Sequence, residues 1–157
     1  MTGFYGDYTH ALDSQCRVSL PCDWRKKDGE TELILAPTGD RALLLLPPDL
    51  LESFFARMKN ASITNSKIQK ALADFGRLCR RCKCDKHGRI ALDRDMLDRV
   101  GISEQIQLSG AVTHIRVSAP AAEEVTDIAA ALAALDEVSA SLDGSLDAAI
   151  KKALKGR

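Results

Sequence analysis

Asp85-Lys86-His87-Gly88-Arg89-Ile90-Ala91-Leu92 has a twin 72 positions earlier, Asp13-Ser14-Gln15-Cys16-Arg17-Val18-Ser19-Leu20. Asp13 corresponds to Asp85 and Arg17 to Arg89. Both stretches read aspartate, three turn-like residues, arginine, and then a run in which apolar residues alternate. An aspartate at the head of such a turn can accept backbone N–H groups from residues just after it. The period-two run that follows reads as a strand. The matched pair predicts a pseudo-twofold protein that presents two arginines in equivalent places.

Working outward, the flanks repeat as well. Phe4, Gly6, Tyr8, His10 and Leu12 recur at a period of two, so 4–12 reads as a strand entering the first turn. Pro21 ends the strand after the turn, and Cys22 to Lys27 is a short helix candidate. Leu33 to Ala36 and Ala42 to Leu46 read as a hairpin around Pro37-Thr38-Gly39-Asp40. After Pro47-Pro48, the segment Asp49 to Lys59 is a helix with Leu50, Leu51, Phe54, Phe55 and Met58 on one face. Polar Asn60 to Asn65 is the linker candidate, and Ser66 to Phe75 is helical. The series then restarts: strand 78–84, turn, strand 90–92, helix 93–100 closed by Gly101, and a hairpin from Gln105 to Val117. These boundaries divide the chain into a first repeat at 3–59, a linker and helix at 60–76, a second repeat at 77–120 and an alanine-rich helical tail at 121–157. In the tail, Val125, Ile128, Leu132, Leu135, Val138 and Leu142 form one apolar helix face. Leu146, Ile150 and Leu154 continue it after Asp143-Gly144-Ser145. A helix so apolar on one side is expected to pack on something.

A chain of 157 residues suits one domain or two intimately packed repeats. With 4% aromatic residues, the core must be mainly aliphatic. Twenty-two basic residues balance 22 acidic ones, so the total charge selects no partner. The distribution is uneven: Arg77, Arg80, Arg81, Lys83, Lys86 and Arg89 stand against Asp85 alone, whereas 121–157 carries seven acids and four bases. The first residues lack the pattern of a signal peptide, and no run approaches the ~20 apolar residues of a membrane span. A cytoplasmic protein without a membrane partner is expected. Five cysteines in that setting read as reduced thiols.

Phe4-x-Gly6-x-Tyr8-x-His10-x-Leu12-Asp13, with Arg17 and Leu20-Pro21, resembles the MraZ family of bacterial transcription regulators. Asp85 to Leu92 is similar to that family's second repeat. Thr38-Gly39 through the leucines to Pro47-Pro48, and Gly101-Ile102 leading to Leu108-x-Gly110, fit too. The resemblance covers 3–120. It implies an α+β fold: a duplicated AbrB/MazE-like double-split β-barrel with flanking helices, followed here by the α-helical tail. It further implies ring-like homo-oligomers that bind short direct repeats in double-stranded promoter DNA, upstream of the division and cell-wall gene cluster. By that resemblance Arg17 and Arg89 contact DNA, while Ser14, Gln15, Lys86 and His87 are secondary contacts.

Arginine suits this work because its planar guanidinium donates two parallel hydrogen bonds to guanine O6 and N7, or clamps a phosphate. The plainer alternative is an Asp–Arg ion pair that fixes each turn. Asp13 and Asp85 read as turn braces, since a carboxylate near phosphates is repelled. An oligomeric assembly protein of the same fold, without specific DNA binding, is the alternative function. Cys79-x-x-Cys82-x-Cys84 with His87 nearby invites a zinc reading, but cysteines alternating along a strand are more simply core thiols. No nucleophile-plus-base set and no phosphate-cradling glycine loop is present, so no enzyme, cofactor or metal site is expected. Gly88 and Cys16 hold equivalent turn positions; if that position needs a positive φ, cysteine is costly there.

Overall fold

The computed structural model describes residues 3–121 and 127–138. They fall into two units, one ending at Pro120 and the other beginning at Ala121. The first unit is an antiparallel α+β structure. Its strands are β1 (Asp7–Ala11), β2 (Arg17–Ser19), β3 (Glu32–Pro37), β4 (Leu43–Leu46), β5 (Arg80–Lys83), β6 (Arg89–Ala91), β7 (Gln105–Gly110) and β8 (Ile115–Ser118). The helices are α1 (Pro48–Phe55), α2 (Lys59–Thr64), α3 (Ser66–Leu78) and α4 (Arg94–Arg99).

The strands form a six-stranded sheet in the order β1-β7-β8-β4-β3-β5 and a two-stranded sheet of β2 and β6. The six-stranded order is palindromic under the sequence duplication. β1 corresponds to β5, β7 to β3 and β8 to β4, so every pairing has a counterpart. Both pseudo-symmetric pairings are centred on equivalent residues: Val18 faces Ile90 in the small sheet, and Leu44 faces Arg116 between β4 and β8. The two repeats are therefore interleaved. β1 of the first pairs with β7 of the second, and β5 of the second pairs with β3 of the first. Outer strands β1 and β5 are the sheet's edges.

Packing follows the same symmetry. Val18 and Ile90, Leu20 and Leu92, Trp24 and Met96, Leu43 and Ile115, and Leu45 and Val117 are buried as equivalent pairs. The core is aliphatic, with Phe4 and Trp24 as its buried aromatics. Trp24 sets the N-terminal segment: its ring meets Phe4 and Tyr8 edge-on at 5.9 and 5.1 Å, and its Nε1–H donates to the Tyr5 carbonyl at 3.1 Å.

Helix boundaries follow local chemistry. Pro47-Pro48 opens α1 with proline at its first positions, where a missing N–H costs nothing. Asp93 caps α4 by accepting the Met96 N–H at 3.0 Å, and Gly101 at φ +76° ends it. Cys22 to Lys27 is not the expected helix. Only Cys22–Trp24 makes a 3-10 turn, and Arg25 is already extended. Asn60 to Asn65 is not an open linker either. α2 runs through it to Thr64, and Asn65 then caps α3 by accepting the Lys67 and Ile68 N–H groups. Leu51, Phe54, Phe55, Ile68, Leu72 and Phe75 of α1 and α3 line an apolar groove of about 570 Å³.

In the second unit, 128–138 is helical and Ile128, Leu132, Leu135 and Val138 are exposed. Val125, Leu142 and the expected segment around Leu146, Ile150 and Leu154 lie outside the described residues. Among the described residues no helix is long and apolar enough to cross a membrane.

Candidate nucleic-acid interface

Each duplicated turn is built on its aspartate. Asp13 Oδ1 accepts the Gln15 and Arg17 N–H groups at 2.9 and 2.8 Å, and its Oδ2 accepts Arg17 Nε–H at 2.6 Å. Asp85 repeats the set with His87 N, Arg89 N and Arg89 Nε at 2.8, 3.0 and 3.2 Å. Backbone bonds close both loops: Cys16 N–H donates to the Asp13 carbonyl at 3.1 Å and Gly88 N–H to the Asp85 carbonyl at 3.0 Å. The aspartate-first motif is thus one hydrogen-bonded unit, made twice.

Pairing of β2 with β6 sets the two units side by side. Leu20 N–H donates to the Gly88 carbonyl and Leu92 N–H to the Cys16 carbonyl, at 2.8 and 2.9 Å. Arg89 Nη1 comes within 3.8 Å of Asp13 Oδ2 in the opposite turn. Arg17 and Arg89 are equally half-buried, with side chains 31% exposed. Each is tethered to its own aspartate through Nε, the nitrogen nearest the stem. Nη1 and Nη2 of each guanidinium lie beyond that tether. Ser14, Gln15, Lys86 and His87 are exposed on the same two turns.

Both carboxyls are held below their ordinary value of 3.8, mainly by the backbone N–H of Arg17 for Asp13 and of Arg89 for Asp85, with the guanidinium charges adding to it. A carboxylate depressed on folding stabilises the fold above its unfolded pKa and loses that contribution as pH falls through the folded value. Melting temperature is therefore expected to drop as pH falls below about 4. An Asp13→Asn/Asp85→Asn variant should show a shallower drop across the same range. Identical acid profiles by thermal melting would mean that the turns do not depend on these charges.

The turn position occupied by Cys16 and Gly88 does need a left-handed backbone, with φ of +57° and +77°. Gly88→Ala is expected to destabilise the fold by roughly 1–2 kcal/mol from the backbone alone. Its new methyl would also collide with the Arg25 guanidinium, which lies against Gly88. Cys16→Gly should not destabilise, because relieving φ offsets the lost thiol packing. Urea midpoints check the contrast, and a neutral Gly88→Ala would contradict it.

The basic run from Arg77 to Arg89 does not present its charge as a block. Asp74 pairs with Arg77, Asp93 with Arg80, Glu32 with Arg81 and Glu30 with Lys83. Asp74 and Asp93 stand just outside the run and Glu30 and Glu32 about 50 residues before it, so the run reads as basic while most of its cations are paired. Cys82 is buried in the core and burial pushes its thiol up to about 11, while Cys79 and Cys84 are half-buried with thiols also raised by desolvation. Among the described residues, no three or more His, Cys, Asp or Glu side chains converge as a metal site.

No protein-family model matches the chain. Several curated proteins do. A transcriptional regulator MraZ of Acetivibrio thermocellus is 25% identical over 114 residues, covering 73% of this chain and 79% of its own length. One of Pelodictyon phaeoclathratiforme is 27% identical over 130 residues, 76% and 86% of the two chains. One of Limosilactobacillus fermentum is 25% identical over 142 residues, 90% and 97%. The chain is thus similar to MraZ transcriptional regulators over most of its length.

Beside these MraZ-like turns stand residues that carry no signal in the repeat. Arg94 bonds the Ile102 and Ser103 carbonyls and reaches Cys16 Sγ at 3.5 Å, closing over the first turn. Arg25 closes over the second turn at Gly88. Neither arginine lies in the Asp-x-x-x-Arg motif. The pairing of β2 with β6 sets the segment after each turn beside the other turn, and the sequence repeat does not mark it, since the positions equivalent to Arg25 and Arg94 are Leu97 and Cys22.

Proposed function

We propose that this chain is a sequence-specific DNA-binding transcriptional regulator whose two Asp-x-x-x-Arg turns form the reading surface. The observation that carries the reading is the twofold repetition of one built unit: two half-exposed arginines, each steered by an aspartate through Nε, held side by side by β2 and β6. A preset guanidinium loses less freedom on engaging a base edge than a mobile one does. Arg17 and Arg89 are the base contacts. Ser14, Gln15, Lys86 and His87 support them, and Asp13 and Asp85 act as braces. The names of the MraZ relatives support the regulatory role.

The finer reading is a double-split barrel made of repeats 3–59 and 77–120, joined through 60–76 and followed by the tail 121–157. It assembles as a ring-like homo-oligomer on direct repeats upstream of the division and cell-wall cluster. The ion pairs of Arg17 and Arg89 also favour a second reading, in which the arginines only brace the turns of an assembly protein. An electrophoretic mobility shift with the chain's own upstream DNA separates the two. Retardation that unlabelled upstream DNA competes away, and scrambled DNA does not, is the expected result. No shift, or equal competition, would favour the assembly protein.

A further inference from the structure

Beside the second turn lies a cleft of about 500 Å³ whose lining includes Arg25, Lys26, Lys27, Lys86, Glu30 and Asp85. Its two acids are engaged by cations outside it: Glu30 pairs with Lys83 at 3.5 Å and Asp85 with Arg89 at 3.2 Å. Among the described residues, no ion pair reaches Arg25, Lys26, Lys27 or Lys86. Arg25 can settle against the turn because residue 88 is glycine, and its buried Nε has no hydrogen-bond partner. Four unpaired cations around one concavity repel one another and focus a positive potential into it, which favours an anion there.

The duplication makes this cleft one-sided. The positions equivalent to Arg25, Lys26, Lys27 and Lys86 are Leu97, Asp98, Arg99 and Ser14. Leu97 is fully buried, and Asp98 is paired with Arg94 at 2.8 Å. Those four positions carry one cation, Arg99, and Arg94, which lies against the first turn, is neutralised by Asp98.

We propose that this cleft binds backbone phosphates of the DNA whose bases are read by the Asp85–Arg89 turn, and so orients the pseudo-symmetric unit on its site. The proposal rests on the DNA-reading function given above. DNA phosphate is favoured over a free phosphorylated ligand because Asp85 and Lys86 belong both to the cleft and to the reading turn. Two near-equivalent turns alone would dock in either direction. A phosphate clamp on one side removes that ambiguity.

The test is fluorescence anisotropy of the full chain on duplexes carrying the upstream repeats or a scrambled sequence, across a salt series. Lys26→Ala/Lys27→Ala and Lys86→Ala are compared with wild type; all three lysines are exposed, and thermal melts check folding. Affinity should fall by the same factor on both duplexes. The slope of log K against log salt should become shallower by about 0.9 for each phosphate contact removed. Phosphate ethylation interference should disappear on one flank of each repeat only. Unchanged slopes in the lysine variants, with wild type still discriminating, would overturn the clamp and leave the DNA reading intact. Failure of the wild type to discriminate would overturn both. Inorganic pyrophosphate that stabilises DNA-free wild type but not the lysine variants, with DNA slopes unchanged, would reassign the cleft to a free ligand and also overturn the clamp.

Discussion

Arg17→Ala and Arg89→Ala are each expected to remove about 1–3 kcal/mol of discrimination per contacted site between the upstream repeats and scrambled DNA. The loss is large because the guanidinium is already positioned. Asp13 and Asp85 hold Nε at 2.6 and 3.2 Å, so truncation discards a preset donor pair as well as a charge. Subunits acting together on several repeats would multiply the loss through effective concentration. Removing one arginine should lower specific binding far more than nonspecific binding, which depends mainly on total phosphate contact. Arg81→Ala is the control. Its charge is already paired with Glu32 at 2.6 Å, away from the turns, so discrimination should stay at wild type. Competition mobility shifts read both effects. An Arg81→Ala loss equal to that of Arg17→Ala would show that bulk charge, and not the turns, governs binding.

Ile90→Ala is expected to destabilise the protein by roughly 2–5 kcal/mol. Ile90 is fully buried and lies opposite Val18 at the centre of the β2–β6 pairing, on the pseudo-twofold axis. Both turns hang from this small sheet, so a cavity there loosens each of them. Val18→Ala/Ile90→Ala should cost less than the sum of the single changes, because the two side chains share one packing site. Urea unfolding checks both statements. A cost for Ile90→Ala below about 1 kcal/mol, or strict additivity, would mean that the axis is not packed as described.

The local units were legible in the sequence because local chemistry makes them. Asp13 and Asp85 announce their turns, the period-two runs announce β2 and β6, and Pro47-Pro48 announces α1. The interleaving was not legible. Which strand β1 or β5 meets depends on partners about 100 and 50 residues away, Asp7 with Ser109 and Glu32 with Lys83, and periodicity carries no such information. Asn60 to Asn65 reads as a linker because Asn, Ser and Thr are weak helix formers, whereas α2 occupies it as far as Thr64. It is helical as a short continuation between the 3-10 turn Ala56–Met58 and α3. The basic run misled for the same non-local reason. Glu30, Glu32 and Asp93 neutralise it from other strands and loops, while the unpaired cations gather from Arg25, Lys26 and Lys27, residues that read as no more than the end of a short helix.

The most direct measurement is fluorescence anisotropy of wild type and Arg17→Ala/Arg89→Ala on the upstream repeats and on scrambled DNA, across a salt series, with melting curves for both proteins. Wild type should prefer the repeats at every salt concentration, and the double variant, still folded, should bind both duplexes alike. A folded double variant that keeps the wild-type preference would make the arginines turn braces and put the DNA-reading surface elsewhere.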